Sequence, residues 1–184
     1  MSQASPDPAS WVLTAVDALN RHGSWTGRVH VHKHLFITQV LGLAAPPFEF
    51  VLYDYGPYSF DLDDKIIELE LLGHLSRSYP QPGYGPRYEP TLQGLELART
   101  LRPEDRTAVE GVARQLRDRK SQELELIATC LWVERKDGIS DPTRVVSRVQ
   151  VVKPKYDEET VRRSLSDARA LAESLAREAG SSSQ

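Results

Sequence analysis

The sequence has a single cysteine, no long apolar run and no excess of basic residues. With Cys130 alone, the chain forms neither an internal disulfide nor a cysteine-based zinc site by itself, and the thiol is expected to pack as a small hydrophobe. No apolar stretch approaches ~18 residues, and no basic segment followed by an apolar one opens the chain. Neither a membrane span nor a secretory signal is expected, which makes the cytoplasm the expected location. The net charge is -3; residues 1–100 carry 7 Lys and Arg against 11 Asp and Glu, and residues 101–184 carry 16 against 15. Neither half is the strongly basic body of a protein whose affinity comes mainly from phosphate contacts.

Catalytic patterns are absent as well. No Gly-rich phosphate loop follows a strand, and there is no nucleophile elbow and no His-Glu-x-x-His pattern. His30 and His34 stand at the i, i+4 spacing of a two-histidine metal pair, but no third ligand accompanies them, and the reading as solvent-facing or core histidines is favoured. No catalytic residue, cofactor or metal is expected.

What is present is enough apolar sequence, 40% of residues, to build a core,. The chain is organised around Phe48 to Phe60, where a strand over Phe48 to Leu52, a Gly-Pro turn crowded by Tyr53, Tyr55 and Tyr58, and the start of a helix at Ser59 are expected within thirteen residues. Tyrosines in such a corner serve either a wetted core or a binding surface, and packing is the commoner use.

Before this stretch, Asp7 and Pro8 open an amphipathic helix that ends at Gly23, and Thr26 is expected to cap a second helix with Val29, Phe36, Val40 and Leu43 in one stripe. Lys33 falls in that stripe, so its amine must find a partner; Asp54 or carbonyls of the tyrosine turn are the candidates. After it, Ser59 caps a third helix with Leu62, Ile66 and Leu69 inward, closing at Gly73. That helix carries Asp61, Asp63, Asp64, Glu68 and Glu70 against Lys65 alone, with Ile67 and Leu71 on its other face. Leu75 to Pro90 reads as a hairpin with a proline-rich loop, and Thr91 caps the helix that follows.

The second half is helical: one helix from Pro103, one from Ser121 that forms the buried centre of this half, one from Asp141-Pro142 to Lys153-Pro154, and a last one from Asp157. Val161, Leu165, Ala168, Ala172 and Leu175 of the last form a seam for the core or, in a homodimer, for a second chain, with core docking favoured. The fold class is therefore mainly α with a small β element: a winged-helix-like N-terminal domain over residues 1–102, a helical extension over 103–180 packed on it, and a disordered tail at 181–184.

Thr26-Gly27-Arg28 leading into Lys33-His34-Leu35-Phe36, the stretch Leu52 to Ser59 with Tyr55-Gly56-Pro57, Leu126-Ile127-Ala128-Thr129 and Lys153-Pro154-Lys155-Tyr156 together resemble the bacterial and archaeal YwgA-like family. That family is distantly similar to the Panacea or SocA-type antitoxin domain. The resemblance implies a winged-helix-like fold with an added helical portion and a non-enzymatic, antitoxin-like or adaptor-like role. The wing from Pro80 to Pro86 departs from the family in its proline content.

Two readings of function follow. In the first, the protein is a regulatory protein-interaction module, and Tyr53, Tyr55, Tyr58, Asp63, Asp64, Ile67, Glu70 and Leu71 are the partner-facing candidates. Five carboxylates against one amine on the third helix would oppose phosphates in a DNA groove, although the same face could instead dock on the C-terminal helices. In the second, a winged-helix transcriptional regulator holds nucleic acid elsewhere, with Arg77, Tyr84, Arg87, Arg114, Arg117, Lys120, Arg144 and Arg148 as contacts. Those basic groups are interleaved with acids, and solvated helix faces are the commoner outcome for such patterns.

Overall fold

The computed structural model describes residues 6–181. Eight helices and two hairpins follow one another in it: α1 (Pro8–Arg21), α2 (Arg28–Val40), β1 (Val51–Tyr53), β2 (Gly56–Tyr58), α3 (Phe60–Leu71), β3 (Leu75–Ser78), β4 (Arg87–Pro90), α4 (Leu92–Ala98), α5 (Pro103–Leu116), α6 (Ser121–Arg135), α7 (Pro142–Val152) and α8 (Glu158–Ser181). The fold is mainly α, with two separate two-stranded antiparallel sheets. Among the described residues no helix is long and apolar enough to cross a membrane.

Local chemistry sets most helix ends. Asp7 caps α1 by accepting from the Ala9 amide, Ser59 caps α3 by accepting from the Leu62 amide, Thr91 caps α4 through Gly94, and Asp141 caps α7 through Arg144. Each side-chain oxygen satisfies an amide that the first turn leaves unpaired. Thr26 does not cap α2. Its hydroxyl donates to the Tyr88 carbonyl at 2.6 Å and ties the start of the helix to β4, so Gly27 stands at the cap position without a side-chain bond.

The expected strand at Phe48 to Leu52 is shorter and lies further along. Phe48 and Phe50 are buried as anchors outside any strand, while Val51–Tyr53 pairs with Gly56–Tyr58, Leu52 opposite Pro57. The tyrosine corner is thus a hairpin rather than a strand running into a helix. Gly56 sits at φ +82°, the left-handed region that this tight turn requires,. The second hairpin matches expectation, with Leu75 opposite Pro90 and Ser78 opposite Arg87.

One apolar cluster runs through both halves of the chain. Trp11, Val16 and Leu19 of α1, Leu35 and Phe36 of α2, Leu62, Ile66 and Leu69 of α3, Val109 and Val112 of α5, Leu124, Leu126, Ile127, Leu131 and Val133 of α6, and Val161, Leu165 and Leu175 of α8 all belong to it. Helix α6 is its hub, packed on α2, α7, α8 and β2. The α8 seam faces α5, α6 and α7, so the expected core docking is what this chain does with it. Helix α8 continues through Ser181; of the tail expected at 181–184, residues 182–184 lie outside the described residues.

Candidate functional site

The tyrosine hairpin rests on buried charge. Lys33 of α2 is 1% exposed and donates to the Pro57 carbonyl at 2.7 Å. Behind the turn, Lys153 at the end of α7 donates to the carbonyls of Tyr53 and Asp54. Glu125 of α6, with its side chain 3% exposed, meets the second amine, and its charge also acts on the first. Its Oε1 makes a 3.0 Å ion contact with Lys153 but lacks the alignment of a hydrogen bond. Its Oε2 accepts from Lys155 at 3.2 Å and from the Tyr156 hydroxyl at 3.3 Å. Burial lowers the Lys33 pKa to about 7, with the Glu125 charge partly offsetting that and the Lys153 charge adding to it. The expectation that carbonyls of the turn satisfy Lys33 is met, but the Asp54 carboxylate is not its partner; Asp54 contributes its carbonyl, and to Lys153.

This arrangement locks the hairpin to three helices. A Cβ on Gly56 would lie 2.9 Å from Thr129 Oγ1 and 3.2 Å from the Glu125 carbonyl, so only glycine lets the turn approach α6. Thr129 is fixed in turn by donating to that same carbonyl at 2.7 Å.

Above the lock, aromatic rings form a cluster. The rings of Tyr53, Tyr58 and Phe60 lie 5.1 to 5.9 Å apart, tilted or edge to face. Tyr53 and Phe60 are about half exposed, at 52% and 56%. Tyr58 is held from beneath by the parallel ring of His32, 4.4 Å away. His32 in turn has Nδ1 2.8 Å from the Arg28 carbonyl and Nε2 3.0 Å from that of Ser59. Burial lowers the His32 pKa. The neutral ring donates to only one of these carbonyls. Tyr55 stands apart at the turn, its ring 5.7 Å from the Lys155 ammonium.

The α3 acids divide into two groups. Asp63 accepts two hydrogen bonds from Arg28, at 2.7 and 2.9 Å, and is also hydrogen-bonded by the Tyr58 side chain, while Arg28 also reaches the Tyr88 hydroxyl. Glu68 pairs with Lys65, and Glu70 with Arg77 on the second hairpin. Asp61 and Asp64 carry no ion pair among the described residues and are exposed. The picture of five carboxylates against one amine is therefore corrected: only two of the five lack an ion pair among the described residues, and Asp63 and Glu70 are part-buried against their arginines. Ile67 and Leu71 do stand out in solvent, at 38% and 81%.

The basic groups considered for nucleic acid are scattered. Arg77, Arg87, Arg114, Arg117 and Arg148 pair with Glu70, Glu89, Glu178, Asp118 and Asp137 respectively. Tyr84 packs 5.5 Å from the Trp25 ring. Lys120 and Arg144 are exposed, on different helices. His30 and His34 do not converge on a metal position: their Nε2 atoms face the carbonyls of Arg119 and Val109. Burial lowers the His34 pKa to about 4, which keeps it neutral. No cluster of metal-ligating side chains occurs among the described residues.

Glu125 is the residue that reading the sequence missed. Lys33 in an apolar stripe called for a buried acceptor, and the one local signal was an acid among Leu124, Leu126 and Ile127, while Lys153 before Pro154 marked only a helix end. No family model matches the chain. No curated protein matches it either.

Proposed function

We propose that the protein is a non-enzymatic interaction module, antitoxin-like or adaptor-like, that presents the tyrosine hairpin to a protein partner. The observation that carries this reading is the cluster of exposed Tyr53 and Phe60 around the part-buried Tyr58, where the hairpin, pinned from below by Lys33 and the Glu125–Lys153 pair, meets the start of α3. Exposed aromatics on a rigid support are what binding surfaces concentrate, because such rings bury much area with little entropy to lose. A two-stranded hairpin is marginal alone, and the buried lysines supply the rigidity that a short β-ribbon lacks.

A winged-helix-like arrangement of the first half is part of the same proposal. The order α1, α2, first hairpin, α3, β3, β4, α4 supports it, as does the wing-like hairpin held to α1 by hydrogen bonds from Asn20 to the Tyr88 carbonyl and from Arg87 to Asn20. The resemblance to YwgA-like and Panacea-type proteins points to the same class.

The test is capture from the native cell by the parent and by Tyr53→Ser/Phe60→Ser, followed by reconstitution of the recovered partner with purified protein. Both substituted side chains are half exposed, so the variant is expected to melt with the parent and to lose the partner. Retention of the partner at parental affinity would sink the reading. Tight, sequence-specific duplex binding by the parent, removed by substitution at Arg77, Arg87 or Arg144, would favour a DNA-binding regulator instead.

A further inference from the structure

The charges left unpaired around the hairpin narrow the partner. Asp54 lies in the turn between Tyr53 and Tyr55, Asp61 follows Phe60 at the start of α3, and Asp64 is close enough for its charge to act on the Tyr58 phenol. All three are exposed and carry no ion pair among the described residues. The cations nearby are engaged: Arg28 by Asp63, Lys65 by Glu68 and Lys155 by Glu125. Half-exposed electron-rich rings thus share a surface with three unopposed carboxylates. Tyr55 already has a cation near its face, the Lys155 ammonium, which also lies 4.8 Å from the Tyr156 ring.

We infer that the hairpin face binds an arginine-containing basic segment of its protein partner. A guanidinium lies flat over Tyr53 or Phe60 while Asp54, Asp61 and Asp64 supply the counter-charge. Arginine fits better than lysine because its planar, weakly hydrated cation stacks on aromatic faces and still presents donors at its edge. Stacked nucleic-acid bases would bring phosphates against three carboxylates, where the neighbouring cations Arg28, Lys65 and Lys155 are already paired,. An anionic membrane surface meets the same repulsion. The inference rests on the interaction reading above and adds the chemistry of the partner.

The experiment is an NMR titration of the full chain, labelled at its aromatic rings, with a tetra-arginine peptide and its tetra-citrulline counterpart. The two have similar shape and differ in charge. Saturable shifts at Tyr53, Tyr58 and Phe60 are expected with tetra-arginine, with binding about tenfold weaker for citrulline. Asp61→Asn/Asp64→Asn should weaken tetra-arginine by a similar factor, and Tyr53→Leu should weaken it without altering the melt. Equal binding of the two peptides, shifts confined to another face, or stronger ring shifts with oligo-dT or phosphatidylserine vesicles would overturn the inference. If Tyr53→Ser/Phe60→Ser loses the reconstituted partner but that partner is indifferent to Asp61→Asn/Asp64→Asn and to salt, the arginine assignment fails while the interaction reading stands.

Discussion

Raising the pH from 7 to 9 should stabilise this protein, and Lys33 is the reason. Its folded-state pKa of about 7 lies below the ordinary 10.5, chiefly because burial penalises the ammonium,. Between those values the unfolded chain binds more protons at this position than the folded one, so unfolding free energy rises with pH. Below pH 7 both states hold the proton and the full penalty is present; as pH climbs towards 10.5 it is relieved. The linkage relation gives a gain of about 2 kcal/mol between pH 7 and 9, or roughly 4 to 8 °C in Tm for a chain of this size.

The window is bounded by other groups. Below it, burial lowers the pKa values of His30, His32 and His34, so their contribution grows as pH rises towards 6.5, for His34 from about 4,. Above it, Cys130 and Tyr58 are both pushed up to about 12 by burial, with nearby carboxylates adding to the rise, so stability falls again from about pH 9 or 10,. Within it, Lys33→Met is the control. Methionine fills a similar volume, leaves the Pro57 carbonyl without its donor at a cost of about 1 to 3 kcal/mol, and removes the titrating amine. Urea melts at half-unit steps of pH should show the parent gaining stability and the variant staying flat. A parent whose stability is flat or falls between pH 7 and 9, or a variant that keeps the slope, would refute the account of Lys33.

Three further outcomes are expected. Gly56→Ala should destabilise by about 2 kcal/mol or more, read in a urea melt, because it strains a φ of +82° and drives a Cβ to 2.9 Å from Thr129,. Gly94→Ala should also destabilise, against the gain of about 1 kcal/mol that alanine normally brings to a helix, because its Cβ would fall 2.2 Å from the His74 carbonyl oxygen. Arg28→Ala should cost about 1 to 3 kcal/mol in the same melt, since Asp63 would lose the two hydrogen bonds from the guanidinium,, and Arg28→Lys should restore only part of it because a lysine cannot make the two-pronged contact.

The sequence made legible what is governed locally. Asp7, Ser59, Thr91 and Asp141 each cap the helix they precede, and Gly23, Gly73 and the Asp-Pro and Lys-Pro pairs mark ends because those residues act within a turn of themselves. The failures are non-local. Thr26 looked like a cap and became a tether to Tyr88, a contact decided by where β4 lies. The apolar run from Phe48 looked like a strand, but its phenylalanines serve as anchors. Phe36 packs edge-on against Phe50, and pairing starts only where β2 can return. Glu125 was hidden because nothing adjacent to it reveals that α2 and the end of α7 bring lysines to the same point.

The pairings of α3 also change which surface matters. Glu70 was a candidate to face a protein, and Arg77 a candidate to face a phosphate; each takes the other, at 2.9 Å. Asp63 and Arg28 do likewise, so two of the five α3 acids brace the helix against α2 and the second hairpin. What stays unopposed is the carboxylate at the turn and the two beside Phe60 and Tyr58. A phosphate would therefore be repelled by the hairpin and the first turns of α3, not along the length of the helix. The same shift gives the buried lysines a role. A desolvated ion cluster is poor at adding stability, since well-packed apolar side chains of similar volume often do as well or better. Here it holds three backbone carbonyls of one short hairpin, those of Tyr53, Asp54 and Pro57, in fixed positions. An apolar replacement would fill the same space, but it would leave those carbonyls without donors and the rings above them without a fixed footing.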